Sequence, residues 1–354
     1  MKDNFLITTG GSGGHVIPAT IFCDHLSKRA KMIISTDKRG LKYLDKDAYT
    51  LEVIDTPKVD NIFFLPYSFI VIFFLTLKSF FFLKKKKIKK VFSTGGYMSL
   101  PVIFAAKFLR IDIYLIEPNQ VLGRANKFFL SFCKKIFCYS DRIKNFPHSE
   151  KKKLVIINPL VKDDIYKLNS SPKKKDLFTL LVVGGSQGAS IFDNNLKNSI
   201  VNISKKNSVE IIQQTNERNM SDLKNFYSNH NVKNKIFSFD KNFYTILHQV
   251  DLCITRAGAS TLAELSVLNI PFIAVPLPTS KDNHQFENAN FYKDNDCCWI
   301  IEQNSFDNKI EQVLKEILEE KTEYRKKKEN LKKINYKNTW NNVNEKILEI
   351  INEN

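Results

Sequence analysis

The chain has few cysteines, few glycines and a shortage of acidic side chains. Among 354 residues there are 6 cysteines and 12 glycines, which excludes a small disulfide scaffold and a collagen-like repeat. A hydrophobic content of 43% excludes intrinsic disorder and suffices for two domains that each bury a core. Acidic residues number 37 against 54 Lys and Arg, a formal net charge of +17. This excess indicates an anionic partner such as nucleic acid, a membrane surface or a phosphorylated substrate, although a biased residue usage could also produce it.

The cysteines show no spacing typical of a metal or redox site. No Cys-x-x-Cys pair brackets a zinc site, and most of the cysteines lie in apolar runs. We therefore expect reduced, buried thiols. The N-terminus lacks the long apolar region and the small-residue cleavage site of a signal peptide, so we expect the protein to stay in the cytosol.

Short β-rich runs alternate with helical stretches along the whole chain. Seven strand candidates precede residue 160, namely Phe5–Thr8, Met32–Ser35, Leu51–Ile54, Val91–Ser93, Ile111–Ile116, Ile136–Tyr139 and Leu154–Ile157. Six more follow, namely Phe178–Val183, Val209–Gln213, Ile236–Phe239, Leu252–Thr255, Pro271–Val275 and Cys298–Ile301. Alternation of this kind predicts βαβ units and parallel sheets. We expect two doubly wound α/β domains, residues 1–160 and 161–354, the second ending in a lysine-rich helical tail able to pack back on the first.

Each half begins with a glycine-rich turn directly after its first strand. The first turn is GGSGGH at residues 10–15, and the second is GGSQG at residues 184–188. Glycine lets the backbone approach an anion, and the following helix offers unpaired N–H groups and the positive end of its dipole. Two such turns at equivalent places predict a cleft between two Rossmann-like domains with a phosphate or diphosphate inside. Neither turn has the Gly-Lys-Ser/Thr of a Walker loop, and neither fits a nicotinamide site with an acidic ribose partner.

A long apolar segment, Ile62–Leu83, precedes a run of lysines at residues 84–90. By length alone it could span a membrane, but Pro66, Lys78 and the following strand argue against spanning, because one sheet cannot lie on both sides of a bilayer. We expect a helix that lies in the membrane interface with its lysines on anionic headgroups, and a purely internal helix is the alternative. The membrane-contacting residues would be Phe69, Phe73, Phe74, Phe81, Lys84, Lys85, Lys86 and Lys87. No nucleic-acid recognition motif is present in the sequence.

Seven stretches of the chain, two of which include the glycine turns, occur in a characteristic order. They are GGSGGHVIPA (10–19), STGGYMSLP (93–101), EPNQVLGRANK (117–127), NP (158–159), VVGGSQGA (182–189), TRAGASTLAEL (255–265) and PLPTSKDNHQFENA (276–289). Together they resemble the MurG family of undecaprenyldiphospho-muramoylpentapeptide β-N-acetylglucosaminyltransferases. The resemblance covers residues 7 to about 290, and the tail agrees only in character.

The resemblance implies a GT-B glycosyltransferase with two Rossmann-like domains facing across a cleft, the acceptor mainly on the N-terminal and the donor mainly on the C-terminal domain. The implied reaction is inverting transfer of N-acetylglucosamine from UDP-GlcNAc to the muramic acid 4-hydroxyl of lipid I. The product would be lipid II, made by a peripheral protein at the cytoplasmic face of the inner membrane. The implied partners are these two substrates, an anionic membrane surface and the cell-wall and division machinery. No cofactor or metal is expected, because no D-x-D motif occurs at an equivalent turn.

The resemblance also assigns site residues. His15 would be the general base or a group that positions the acceptor, and the acceptor side would be formed by Gly14, His15, Tyr97, Ser99 and Asn119. The contacts to UDP-GlcNAc would come from Ser12, Gly13, Gly14, Asn119, Lys162, Ser186, Gln187, Gly188, Arg256, Glu264 and Gln285. Among these, Ser186, Gln187 and Gly188 would hold the diphosphate. Glu264 would accept the ribose hydroxyls, Gln285 would bind the sugar, and Arg256 would shape the uracil pocket through its backbone.

Two departures from the family pattern affect the site. Where the family usually has His-Glu-Gln-Asn, this chain has IEPN at residues 116–119, and Pro118 lacks a backbone N–H. Family members often carry an Arg shortly after Asn-Pro, whereas here Lys162 is the candidate substitute and lacks the planar guanidinium. The rival interpretations are another GT-B glycolipid transferase, a UDP-GlcNAc 2-epimerase, or a non-catalytic membrane-bound protein that binds a nucleotide sugar.

Overall fold

The computed structural model describes residues 2–57, 65–168, 177–185, 190–238 and 244–353. The chain forms two compact units, of which the first comprises Met1–Leu160 with Asn341–Asn354 and the second Val161–Trp340. Each unit is built around one parallel sheet.

The first unit contains seven parallel strands in the order β3-β2-β1-β4-β5-β6-β7. The strands are β1 (Asp3–Thr8), β2 (Ala30–Thr36), β3 (Thr50–Val53), β4 (Ile88–Ser93), β5 (Asp112–Glu117), β6 (Lys135–Cys138) and β7 (Leu154–Ile156). The helices among them are α1 (Gly13–Leu26), α2 (Leu65–Lys85), α3 (Leu100–Phe108) and α4 (Arg124–Phe129). Thr8 at the end of β1 lies opposite Ser35 of β2 and Ser93 of β4, so the loops after these three strands leave the sheet side by side.

The second unit contains six parallel strands in the order β10-β9-β8-β11-β12-β13. They are β8 (Phe178–Val183), β9 (Val209–Gln214), β10 (Lys233–Phe237), β11 (Leu252–Thr255), β12 (Phe272–Ala274) and β13 (Cys298–Ile300). The helices are α5 (Asp163–Lys167), α6 (Ser190–Asn195), α7 (Lys197–Ser204), α8 (Met220–Asn229), α9 (Tyr244–Leu247), α10 (Ala259–Val267), α11 (His284–Asp294), α12 (Phe306–Glu319) and α13 (Thr322–Asn335). The last helix, α14 (Trp340–Asn352), belongs to the first unit from Asn341 onward.

The central strands of each sheet, such as β4, β8 and β11, are buried on both faces, as parallel sheets covered by helices require. Successive side chains of a strand point to opposite faces, and along β8 they enter two different clusters. Leu181 and Val183 join one apolar cluster, whereas Leu180 and Val182 join the other. This two-sided burial explains why these strands are continuous apolar runs in the sequence.

The predicted strands are confirmed, since each of the thirteen intervals overlaps an observed strand. The tenth begins earlier than expected, at Lys233, because this strand lies at the sheet edge, where Lys and Asn side chains can reach solvent. Its predicted end, Phe239, lies outside the described residues. All six cysteines are free and buried, and burial raises the pKa of Cys133 to about 11 and that of Cys297 to about 12, as expected of unreactive thiols.

Candidate functional site

The first glycine loop is tightly packed and ends on the N-terminus of α1. Gly10 and Gly11 have φ angles of +155° and +76°. A Cβ atom at Gly10 would lie 2.5 Å from Asp37 Oδ1, and one at Gly11 would lie 2.8 Å from Met98 Cε. The first turn of α1 then presents the N–H groups of Gly13 and Gly14, which have no carbonyl partner within the helix. The loop can therefore bring backbone donors close to an anion, with Ser12 and Gly14 exposed beside it.

His15 lies in the same first turn and is held by the neighbouring strand. Its Nδ1 lies 2.8 Å from the carbonyl oxygen of Thr94, which directly follows β4. A carbonyl oxygen only accepts, so Nδ1 carries the hydrogen, and in the neutral ring Nε2 is left with its lone pair. The Thr94 hydroxyl is fixed in turn by a hydrogen bond of 2.8 Å to the hydroxyl of Thr9. This geometry gives the half-buried imidazole the tautomer that a general base needs.

Tyr97 and Ser99 have different situations in the turn after β4. Tyr97 is half-buried and faces the guanidinium of Arg39, whose Cζ lies 5.1 Å from the ring centroid. Ser99 is fully buried, and its hydroxyl donates to the carbonyl of Gly95 at 3.0 Å. Ser99 therefore shapes the turn, whereas Tyr97 stands beside the glycine loop.

Asn119 belongs to a network around a buried carboxylate. Glu117, only 3% exposed, accepts hydrogen bonds from the backbone N–H and the Nδ2 of Asn119 at 3.2 and 3.1 Å. Its other oxygen accepts from the N–H of Gly123 at 2.8 Å and from Asn126 Nδ2 at 3.0 Å. Four donors thus hold the loop that contains Pro118, and the loop keeps its shape without an N–H at that position. The sequence singled out Asn119 but not the buried Glu117 that orients it.

In the second unit, the side chain of Arg256 makes several hydrogen bonds, and its predicted backbone role at a uracil pocket stays a prediction. Its Nη1 donates to the carbonyls of Val275 and Pro276 at 3.1 and 3.4 Å, and its Nη2 donates to Gln303 Oε1 at 2.6 Å. The guanidinium also lies 5.6 Å from the ring centroid of Phe192. Burial lowers the pKa of Arg256. The side chain thus ties the loop after β12 to Gln303.

Glu264 is half-buried on α10 and carries a perturbed carboxyl group. Burial raises the pKa of Glu264 to about 7, and the exposed Lys162 before α5 opposes this shift. The structure thus brings together two residues that the sequence placed in the donor site. A carboxyl group poised near neutrality is typical of functional sites, and it can accept hydrogen bonds from a vicinal diol when ionised.

Gln285 lies in the first turn of α11, next to a backbone turn of unusual conformation. Its Oε1 accepts a hydrogen bond of 3.0 Å from the N–H of Leu277, so the side-chain oxygen is engaged within the protein and the amide nitrogen is the group able to donate to a ligand. The preceding residues Asp282 and Asn283 have φ angles of +51° and +56° without being glycines. On the same helix, Asn288 is buried and donates to the carbonyl of Ala257 at 3.1 Å, which links the turn to the start of α10.

The second glycine loop begins at Gly184 and Gly185, the latter with a φ of +78°. The predicted phosphate ligands Ser186, Gln187 and Gly188 lie outside the described residues. The helix that follows them, α6, is fixed by a residue that the sequence analysis missed. Asp193, only 6% exposed, accepts hydrogen bonds from Gln213 Nε2 at 3.0 Å, from the Thr215 hydroxyl at 2.6 Å and from Asn219 Nδ2 at 3.1 Å.

Helix α2 is apolar on its exposed side as well as on its buried side, where Ile72 and Leu83 pack. Phe69, Phe73, Phe74 and Phe81 are each at least 60% exposed, whereas Ser68 and Ser79 point inward and are buried. Lys84, Lys85, Lys86 and Lys87 follow on the surface. Lys78 pairs with Glu52 of β3 at 3.5 Å, which ties the helix to the sheet. The alternative prediction, that α2 is a purely internal helix, is therefore wrong, because one side of the helix is exposed.

Within the part of the chain that the structure describes, α2 is the one helix long and apolar enough to cross a membrane, judged by length and composition only. Among the same residues, no group of three or more His, Cys, Asp or Glu side chains is placed to hold a metal ion.

Two family models match this chain. The N-terminal domain of glycosyltransferase family 28 matches residues 5–138, and the C-terminal domain of the same family matches residues 179–340. A relative from Pelagibacter ubique (strain HTCC1062) is 48% identical over 356 aligned positions, which cover 100% of both chains. It is named UDP-N-acetylglucosamine–N-acetylmuramyl-(pentapeptide) pyrophosphoryl-undecaprenol N-acetylglucosamine transferase. A relative of the same name from Rickettsia canadensis (strain McKiel) is 37% identical over 308 positions, covering 85% of this chain and 86% of the relative.

Solved structures resemble the chain at lower identity. The crystal structure of Acinetobacter baumannii MurG has a TM-score of 0.75 and 22% identity, covering 94% of this chain and 95% of that one. A UDP-GlcNAc 2-epimerase from Neisseria meningitidis bound to UDP-GlcNAc has a TM-score of 0.70 and 12% identity, covering 99% and 100%. At these identities the likeness shows the fold, and the predicted GT-B class with two Rossmann-like domains is confirmed.

Proposed function

The chain belongs to glycosyltransferase family 28, and from this membership we propose that it makes lipid II by transferring N-acetylglucosamine from UDP-GlcNAc to lipid I. Lipid I is the N-acetylmuramyl-(pentapeptide) pyrophosphoryl-undecaprenol in the name of its full-length, 48%-identical relative. The observation that carries the proposal is the hydrogen bond between His15 and Thr94, because it places a basic nitrogen beside an anion-binding loop. Neither feature alone defines a transferase, but together they supply an acceptor site with a base.

The proposed chemistry on the acceptor side is proton removal. A β-linked product from an α-linked nucleotide sugar requires one in-line displacement, with inversion at C1 of the sugar. Nε2 of His15 takes the proton from the muramic acid 4-hydroxyl as the oxygen attacks, while Nδ1 stays bonded to Thr94. The backbone N–H groups of Gly13 and Gly14 bind the acceptor diphosphate and so orient the sugar.

On the donor side, the proposed roles follow the polar groups of the second unit. Glu264, when ionised, accepts hydrogen bonds from the ribose hydroxyls, and the charge of Lys162 favours the ionised form. The amide nitrogen of Gln285 donates to the sugar, since its oxygen is already bound to Leu277. Ser186, Gln187 and Gly188 lie between β8 and α6 in the sequence and would stabilise the departing UDP with hydroxyl and backbone donors. We propose that no divalent metal takes part.

The proposed location is the cytoplasmic leaflet, with the protein bound peripherally through α2. Burying the exposed phenylalanines of α2 in the interface provides the hydrophobic contribution, because each Phe removed from water is worth about 2 kcal/mol. The four lysines at residues 84–87 add attraction to anionic headgroups of about 1 kcal/mol each near the surface. The phenylalanines and the lysines both belong to the unit that carries His15. The proposed base would therefore lie on the membrane-bound unit, as an acceptor embedded in the membrane requires.

The test is UDP release from UDP-GlcNAc in EDTA, with and without a soluble lipid I analogue. Release that depends on the acceptor supports a metal-independent transferase. Release without acceptor would point to a hydrolase or an epimerase. Binding of UDP-GlcNAc without release in either condition would support the non-catalytic alternative, and activity restored only by Mg²⁺ would contradict metal independence.

A further inference from the structure

Arg39 is a cationic side chain beside the first glycine loop that the proposed roles leave unused. It follows β2, next to Asp37, whose side chain is 1% exposed while that of Arg39 is 39% exposed. Asp37 Oδ2 accepts from Arg39 Nε at 2.8 Å and from Nη2 at 2.5 Å. Its Oδ1 accepts from the N–H groups of Gly11 and Gly40 at 2.8 and 2.9 Å. One buried carboxylate thus fixes both the glycine loop and the guanidinium.

The charges of this pair face different surroundings. The pair is formally neutral, but the carboxylate is enclosed and the guanidinium is exposed, so the positive member of the pair is the one that a ligand can reach. Burial alone would raise the pKa of Asp37, and the hydrogen bonds from Gly11, Arg39 and Gly40 together lower it instead. Asp37 therefore stays ionised at neutral pH and keeps Arg39 in place.

A second contact, with Tyr97, holds the guanidinium of Arg39 beside the first glycine loop. Its Cζ lies 5.1 Å from the ring centroid of Tyr97, within the range of a cation–π interaction. Its Nη2 lies 3.8 Å from the position that a Cβ atom would take at Gly11. A side chain fixed on two sides has lost its rotamer freedom before any ligand arrives, and a planar guanidinium suits phosphate oxygens.

We infer that Arg39 binds the diphosphate of the lipid-linked acceptor at the first glycine loop. The inference rests on the proposed function, which supplies an acceptor whose sugar is joined to its lipid through a diphosphate. The loop N–H groups provide neutral donors, and Arg39 adds the fixed positive charge that two phosphates require. The diphosphate of UDP-GlcNAc is the other ligand with the same chemistry, and the residues proposed to hold it, Ser186, Gln187 and Gly188, lie between β8 and α6 in the sequence.

Steady-state kinetics of Arg39→Gln separates the acceptor from the donor. A lost charge-assisted hydrogen bond of about 1.5–3 kcal/mol raises the KM for lipid I about 10- to 150-fold. The KM for UDP-GlcNAc stays within about 2-fold of wild type. Arg39→Lys keeps the charge and a partner for Asp37, and gives an intermediate increase. The control is Arg29→Gln. Arg29 is exposed and directly precedes the amino end of β2, whereas Arg39 follows its carboxyl end. An unchanged acceptor KM, or a raised donor KM, overturns the inference.

A modified acceptor excludes a merely structural role. When an uncharged linker replaces the diphosphate, wild type and Arg39→Gln have equal kcat/KM values, because the interaction is already lost. A penalty that persists with this acceptor shows that Arg39 only supports the loop through Asp37, and overturns the inference.

A binding measurement keeps the inference testable if the chain does not use lipid I at all. The probe is inorganic pyrophosphate, titrated calorimetrically with UDP saturating to occupy the donor side. Arg39→Gln weakens its binding about 10-fold or more, whereas Arg29→Gln does not. Equal affinity for wild type and Arg39→Gln overturns the inference, whatever the kinetics of the proposed reaction.

Discussion

The imidazole of His15 and the carbonyl of Thr94 are joined by a hydrogen bond of 2.8 Å across 79 positions of sequence. The contact links the first turn of α1 to the exit of β4, two elements that lie side by side because β1 and β4 are neighbouring parallel strands. It fixes the tautomer of the ring and holds its second nitrogen at the glycine loop. The proposed catalytic role depends on this relationship more than on the presence of a histidine.

Replacing His15 tests the role of this nitrogen. His15→Ala and His15→Gln should lower kcat about 10²- to 10⁴-fold, the range expected when a general base is lost. The KM for UDP-GlcNAc should stay close to wild type, because Glu264 and Gln285, the side chains proposed to bind the ribose and the sugar, lie in the second unit. The control is His230→Gln, since His230 is exposed on the second unit. A parallel loss of turnover and UDP-GlcNAc affinity in His15→Ala would count against the base role.

Glu264 should make stability depend on pH. Because burial raises its pKa from 4.5 to about 7, the folded protein holds this proton more tightly than the unfolded chain. Stability from this group is fully present below about pH 4.5 and is lost as the pH rises through about 7. Glu264→Gln should therefore stabilise the free protein at pH 8, by about 3 kcal/mol at most. Urea denaturation at pH 5 and pH 8 measures the difference, which should be small at pH 5.

The same group should couple donor binding to pH. If the ionised carboxylate accepts the ribose hydroxyls, the affinity for UDP-GlcNAc rises as the pH increases through about 7. Glu264→Gln should bind more weakly and without this dependence. Calorimetric titrations between pH 6 and pH 8 check both statements, and an identical pH profile in the variant would remove Glu264 from the ribose site.

The exposed face of α2 should be the membrane anchor. Changing Phe73, Phe74 and Phe81 to Ser should weaken partitioning onto anionic vesicles about 10⁴-fold, since about 2 kcal/mol for each Phe gives about 6 kcal/mol, while the fold is kept. The control is Tyr336→Ser, because Tyr336 is 72% exposed on the second unit. Vesicle co-sedimentation gives the partition coefficients. Unchanged partitioning of the triple variant would contradict the interfacial helix.

Asp193 should be important for the stability of the second unit. Asp193→Ala leaves the donors on Gln213, Thr215 and Asn219 without their shared acceptor, at a cost of about 3 kcal/mol in unfolding free energy. The matched control is Asp222→Ala, since Asp222 is exposed on α8. Chemical denaturation compares the two. Equal midpoints would mean that the network does not stabilise α6.

The strands could be predicted because each is a short apolar run between helical stretches, and burial on both faces leaves that pattern in the sequence. The glycine loops could be predicted because their residue types are required locally, as the close contact of Gly10 with Asp37 shows. The outward face of α2 could not be assigned in advance, because nearly every side of that helix is apolar. Only its packing shows that Ser68 and Ser79 point inward.

The partners within the site were less predictable, because they are distant in sequence. Neither Thr94 as the partner of His15 nor Gln303 as the partner of Arg256 follows from any local pattern. The side-chain contacts of Arg256 were not predicted, because their acceptors lie 19 to 47 positions away in the sequence. Asp37 directly follows β2 and Asp193 lies within the short helix α6, and only tertiary burial distinguishes them from surface carboxylates.

The most direct test of the account is to identify the product formed from UDP-GlcNAc and a lipid I analogue. We predict a lipid-linked disaccharide, with N-acetylglucosamine β-linked to the muramic acid 4-hydroxyl and one UDP released for each disaccharide, as mass spectrometry and NMR of the anomeric proton will show. Free N-acetylglucosamine, or an epimerised UDP-sugar formed equally well without acceptor, would contradict the account.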